Sequence, residues 1–199
     1  MDDVNARLAT LVGSRICHDL INPIGAIANG IELLGLSGQM RGPEFDLITS
    51  SALNAGARIR FFRIAYGAAG EQMLGRQEIV SVLNDISQAN RVKMHWTPPG
   101  PQARSDVRLA FLALQCCETA MPFGGSVQVG EDGGEWSVTG TADKMSLNPS
   151  LWELLDLQAT GDIDIAPATL QFALLPRIAQ EAGRTLRHEA GEGQVTIRF

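Results

Sequence analysis

No stretch of the chain is apolar for the ~18 residues that a membrane-spanning helix needs, so no spanning segment is expected. The opening residues, MDDVNARLAT, are acidic and lack the apolar core of a secretory signal. With both features missing, the chain is expected to act in the cytoplasm. Cysteine is scarce: Cys116 and Cys117 are adjacent and Cys17 stands alone. No CxxC spacing occurs, which excludes the common zinc and dithiol redox motifs. Three reduced, mostly buried thiols are expected instead. An excess of positive charge is also missing. Sixteen Lys and Arg stand against 22 Asp and Glu, a net charge of −6, whereas a nucleic-acid binder needs a basic patch to displace counterions. Apolar residues are not scarce. At 45% hydrophobic against 19% charged, the chain buries enough surface to offset folding entropy, so a mainly disordered state is excluded.

The charge is unevenly placed. Residues 1–70 hold six Arg and six acids, and residues 71–199 hold ten basic and sixteen acidic residues. That asymmetry predicts two units, 1–70 and 71–199. In the first, Ile16, Leu20, Ile24, Ile27, Ile31 and Leu34 step by three and four, which predicts one helix over 4–36 with a bundle-type seam. Two glycines and Pro43 break it, and a second helix is expected from Pro43 to Tyr66, with Phe45, Ile48, Leu53, Ile59, Phe62 and Ile64 as its apolar content. A lone helical hairpin encloses no core, but two copies do, so a homodimeric four-helix bundle is expected.

In the second unit the pattern alternates. Helices are expected over 77–89, 105–120, 149–157 and 167–182, the last ended by Gly183. Strands are expected over 92–97, 126–130, 135–141, 185–189 and 194–199, with Asp132-Gly133-Gly134 as a hairpin turn. The fold class is therefore α+β: a helical hairpin, then an α/β sandwich of helices on one antiparallel-rich sheet. Trp96, Trp136 and Trp152 are expected in packing, and His95 and His188 in structural or solvated places.

His18 is different. It lies in Cys17-His18-Asp19-Leu20-Ile21-Asn22-Pro23, about 200° around the helix from both Ile16 and Leu20, and so faces away from the seam. Asn22 and Gly25 share its face at i+4 and i+7, with Arg15 one turn earlier and Ala26 beside it. Imidazole can take a phosphoryl group as a nucleophile, Asp19 can orient it, and Asn22 can position a water or a phosphoryl oxygen. Spacing alone permits these roles without compelling them, and geometry by itself favours a solvated surface histidine on a kinked bundle helix.

His18-Asp19-Leu20-Ile21-Asn22-Pro23 resembles the H-box of two-component histidine kinases. The longer run from Ser14 to Leu34 resembles, more narrowly, the ChpT-type histidine phosphotransferases of alphaproteobacteria. The order of elements in the second half is similar to a histidine-kinase ATPase (Bergerat-type) domain, but in degenerate form. Glu118 stands where that fold carries its magnesium-binding asparagine. Asp143-Lys144-Met145 lacks the glycines of the adenine motif, and Ala166 to Ala173 lacks the glycines of a phosphate cradle.

The resemblance implies that His18 is the phosphoacceptor, with Asp19 and Asn22 as its catalytic neighbours and Arg15, Gly25 and Ala26 as partner contacts. It implies a homodimer that shuttles phosphate between the receiver domain of a hybrid kinase and response regulators. It further implies no ATP, no cofactor or metal of its own, Mg²⁺ supplied by the receiver, and neither nucleic acid nor membrane as partner. A non-catalytic dimeric adaptor and an ATP-dependent kinase core are the alternatives.

Overall fold

The computed structural model describes residues 13, 20–22, 24–36, 42–68, 70–156 and 165–199. The chain divides into two compact units, Met1–Ala69 and Gly70–Phe199.

In the first unit, residues 20–22 and 24–36 are helical and form α1. Helix α2 runs Pro43–Ala65. Proline at its start is well placed, because the first-turn N–H groups have no intrahelical acceptor, and the chain enters through Gly42 at φ +134°, a conformation that favours glycine. The two helices are antiparallel and in close register. A side chain added at Gly56 would meet Ile24 Cγ2 at 3.6 Å, and one at Gly35 would meet the Phe45 ring at 3.4 Å. Along α2, Phe45, Ile48, Ala52, Ala55, Ile59, Phe62 and Tyr66 alternate steps of three and four, the seam of a bundle helix. Ile64 is buried as expected, together with Ala57 and Phe61, whereas Leu53, on the same side of the helix as Ala57 and Ile64, is exposed.

The second unit is an α/β sandwich. In chain order it comprises β1 (Met73–Leu74), α3 (Arg76–Ala89), β2 (Val92–Trp96), β3 (Gln102–Ala103), α4 (Arg104–Thr119), β4 (Gly125–Asp132), β5 (Glu135–Thr141), α5 (Pro149–Trp152), α6 (Leu170–Glu181), β6 (Arg187–Gly191) and β7 (Gln194–Arg198). Strands β2-β4-β5-β7-β6 form one sheet, with β2 and β4 parallel and every other pair antiparallel. The Asp132-Gly133-Gly134 turn sits at its expected place, with Gly133 and Gly134 both at positive φ. A short β1–β3 ribbon was not visible in the sequence, since two residues carry no alternation.

Two elements differ from expectation. The last hairpin begins at Arg187 rather than 185. Gly183, at φ +68°, ends α6, and Arg184 is then held in a loop by Asp106 Oδ1 at 2.9 Å and Gly134 O at 2.8 Å. The helix expected over 149–157 is one α-turn followed by a 3₁₀ turn, Glu153–Leu155.

Alternation builds the core. Met94, Trp96, Val127, Val129, Val138, Val195 and Ile197 point from the sheet to the helices, while Ser126, Gln128, Thr139 and Arg198 face the other way. Helix α4 is buried from Val107 to Leu114 and packs on α6, β4 and β5. Trp96, Trp136 and Trp152 are all buried. Trp136 stacks parallel on Phe199, and Trp152 meets Phe172 edge-on. Gly125 cannot carry a side chain, because a Cβ there would come within 2.8 Å of Met121 Sδ and still closer to Thr141 O.

Cys116 and Cys117 are free, fully buried thiols on α4. Burial pushes Cys117 up to about 12 from an ordinary 9.0, against a hydrogen bond with the backbone that lowers it. Burial also raises Cys116, helped by its neighbour Cys117. Both groups titrate higher in the folded than in the unfolded chain. Their contribution to stability is therefore intact at neutral pH and is lost only as pH rises above about 9. Because the thiolate is the reactive form, neither cysteine should be alkylated by iodoacetamide at pH 8 in the native protein, and both should be alkylated in urea. Peptide mass spectrometry of the two reactions checks this.

Candidate functional site

His18, Asp19 and Arg15 lie outside the described residues, as do Cys17 and Pro23. The described part of the site is the stretch of α1 that follows. Asn22, Gly25 and Ala26 are all exposed. A side chain added at Gly25 would meet nothing within 4 Å, and the same holds at Gly30. The helix face four and seven residues beyond His18 is thus open backbone and small side chains, with one amide. Such a face lets a partner's surface come close to the helix.

The second unit shows what occupies the place of a nucleotide site. Glu118 accepts a hydrogen bond from Asn90 Nδ2 at 3.1 Å. One residue on, Thr119 Oγ1 accepts from Gln171 Nε2 at 3.0 Å, and that nitrogen also reaches Ala168 O at 3.3 Å. Gln171 is itself buried, so it pins the start of α6 to the end of α4. The segment beginning at Ala166 forms a 3₁₀ turn, Pro167–Thr169, and runs directly into α6. Pro167 has no N–H to offer, and the Thr169 N–H donates to Ala166 O at 2.9 Å. Gln171 and Asn90 were not singled out from the sequence. A polar residue at a helix start reads as solvated until tertiary packing buries it.

Arg108, buried on α4, has its pKa lowered by burial, while the charge of Glu181 opposes the shift. His188 lies 3.6 Å from Asp156 and beside the Trp152 ring, and His95 is exposed on β2. Among the described residues, no group of three or more His, Cys, Asp and Glu side chains is placed to hold a metal ion. No helix among them is long and apolar enough to cross a membrane.

Comparison with known proteins gives this arrangement its context. The profile of the family described as "Histidine phosphotransferase C-terminal domain" matches residues 76–194. The chain is also 33% identical to the protein phosphotransferase ChpT of Brucella abortus (strain 2308) over 186 residues, which cover 88% of this chain and 87% of that protein. The chain belongs to the histidine phosphotransferase family. A solved bacterial phosphotransferase superposes on this family member with a TM-score of 0.70 at 29% identity, covering 98% of this chain and 95% of its own. A histidine kinase domain from Erythrobacter litoralis aligns at a TM-score of 0.47 and 11% identity, over 89% of this chain and 93% of that one, too distant to argue from. The phosphotransferase therefore has the α+β architecture expected of its sequence, a helical hairpin followed by an α/β sandwich.

Proposed function

We propose that the protein carries a phosphoryl group on His18 within a phosphorelay. The imidazole nitrogen attacks the phosphorus of an aspartyl phosphate on the receiver domain of a hybrid kinase. The P–O bond to the aspartate breaks, the carboxylate leaves, and a P–N bond forms. The step reverses on the aspartate of a response regulator. Mg²⁺ and most of the charge stabilisation come from the receiver. Asp19 orients the imidazole, Asn22 lies toward the phosphoryl oxygens, and Arg15 meets the partner's acids. Family membership supports the activity. The observation that carries the site is the open face of α1 at Asn22, Gly25 and Ala26, one and two turns beyond His18.

The test mixes the protein with a Mg²⁺-loaded, phosphorylated receiver domain, beside an ATP-only arm and a His18→Ala arm. Acid-labile phosphate that appears only with the receiver, and only when His18 is present, is the expected result. Labelling from ATP would make it a kinase core. Receiver binding without any phosphate would make it an adaptor. The ATP arm is expected to stay blank, because Glu118 places a carboxylate where the kinase fold carries an asparagine, and Ala166 to Ala173 lacks the glycines of a phosphate cradle.

A homodimer through the hairpin belongs to the same reading. Leu20, Ile27 and Leu34 on α1 and Ile48 on α2 follow the two seams yet stand exposed in the single chain. A second hairpin would cover them. Ile27→Glu is expected to convert the dimer to a monomer, as read by light scattering during gel filtration. An unchanged mass would remove this interface.

A further inference from the structure

We propose that the end of the sheet where β4 begins and β5 finishes carries a binding site for a guanine nucleotide. A tight turn builds its rim. Gly124 N donates to Met121 O at 3.0 Å, which leaves Pro122 and Phe123 at the tip. Proline presets such a turn. Gly124, at φ +106°, lies so close to Arg91 that a Cβ there would come 2.9 Å from the Arg91 carbonyl oxygen. Phe123 is thereby held out in solvent, 73% exposed, beside a cavity of about 720 Å³. That volume falls in the range of about 300–1,000 Å³ common to small-molecule sites. Backbone hydrogen bonds fix the other walls. Gly125 N donates to Arg91 O at 3.4 Å, and Ala142 N donates to Gly193 O at 3.0 Å.

The floor is Ser126 and Thr141, paired across β4 and β5. Both face away from the helices, because their neighbours Val127 and Gly140 face the core. The cavity therefore opens on the helix-free side of the sheet. Glu118, Thr119 and Gln171, which fill the place of a kinase nucleotide site, belong to the helices on the other side.

Charge indicates the ligand. Arg91, Asp143, Lys144 and Glu192 line the cavity and are all exposed. Among the described residues, none of these four side chains is in an ion pair. Two cations and two carboxylates left unpaired suit a ligand that carries both an anionic group and hydrogen-bond donors. Carboxylates only accept. The N1–H and N2–H groups of guanine lie side by side and match the two oxygens of one carboxylate, and ribose hydroxyls match the other. Adenine presents a ring-nitrogen acceptor at the same place, which a carboxylate repels. Arg91 and Lys144 suit the phosphate, and the Phe123 ring offers the base a stacking face.

Isothermal titration calorimetry of the full chain with GMP, AMP and inorganic phosphate tests this. GMP should bind saturably at a single site, at least about 10-fold more tightly than AMP or phosphate, and Phe123→Ala should weaken it by at least about 10-fold, the order of one base–aromatic stack. The thermal unfolding midpoint of that variant should not move, because the ring is exposed. A second readout needs no variant. Lys93 and Lys144 are the only lysines in the chain, and Lys93 Nζ is held by Ser87 O at 2.6 Å. GMP should protect Lys144 from acetylation and leave Lys93 unprotected, as read by peptide mass spectrometry. The proposal is overturned by the lack of saturable GMP binding, by AMP or phosphate binding as tightly as GMP, by wild-type affinity in folded Phe123→Ala, or by unprotected Lys144. Should Phe123→Ala fail to fold, Lys144 protection in the wild type decides. None of these readouts depends on phosphoryl transfer.

Discussion

His18→Ala is expected to abolish acid-labile phosphate altogether, whereas Asn22→Ala should slow transfer by about 10²-fold. The first effect is total because the imidazole is the covalent carrier, and alanine has no atom to form the P–N bond. The second is graded. An amide that hydrogen-bonds the transferring phosphoryl acts as one donor toward developing charge, and removing one such donor typically costs about 10²–10³ in rate. The two outcomes separate chemistry from docking when receiver binding is measured in parallel. Both variants should bind the receiver with wild-type affinity, because Asn22 is an exposed residue with small neighbours and contributes little apolar contact area. Rapid-quench measurement of phosphohistidine against a phosphorylated receiver checks the rates. If Asn22→Ala transfers as fast as wild type, the amide is a bystander on an open helix face. A longer-lived phosphoaspartate in the presence of Asn22→Ala would assign the amide to water positioning.

The second large effect is on stability. Trp136→Ala should destabilise the protein by about 3–5 kcal/mol, the range for deleting a buried aromatic. Trp136 is almost wholly buried at the centre of an aromatic cluster, with Phe199 stacked at 6.1 Å between ring centroids and Trp96 tilted at 5.5 Å. Removing it leaves a void lined by two rings whose positions are fixed by β2 and by the Phe199 backbone, which exchanges hydrogen bonds with Trp136 in both directions. Those rings cannot collapse into the space without breaking strand pairing. Against a total stability of about 5–15 kcal/mol for a typical domain, the variant should unfold at a much lower urea midpoint. Trp136→Phe should recover more than half of the loss. Equilibrium urea curves followed by far-UV circular dichroism measure both. An alanine variant within 1 kcal/mol of wild type would mean that the cluster repacks.

The sequence by itself determined the elements whose pattern is strong and local. Ile24, Ile27, Ile31 and Leu34 announced α1, Pro43 announced the start of α2, and the Asp132-Gly133-Gly134 turn announced the β4–β5 hairpin, because periodicity and turn chemistry act over neighbouring residues. The motif around His18 was legible in the same way, since a string of adjacent residues carries it. Only the tertiary structure decided the rest. Strand order, with β7 inserted between β5 and β6, depends on partners more than fifty residues apart. Gln171 and Thr119 look like two unrelated polar residues until α6 packs on α4 and joins them. Leu53 reads as core from its hydrophobicity alone. Tertiary packing decides otherwise: Ala57 and Ile64, which follow Leu53 on the same helix line, are buried while Leu53 is exposed, because the cover over a helix face changes along its length.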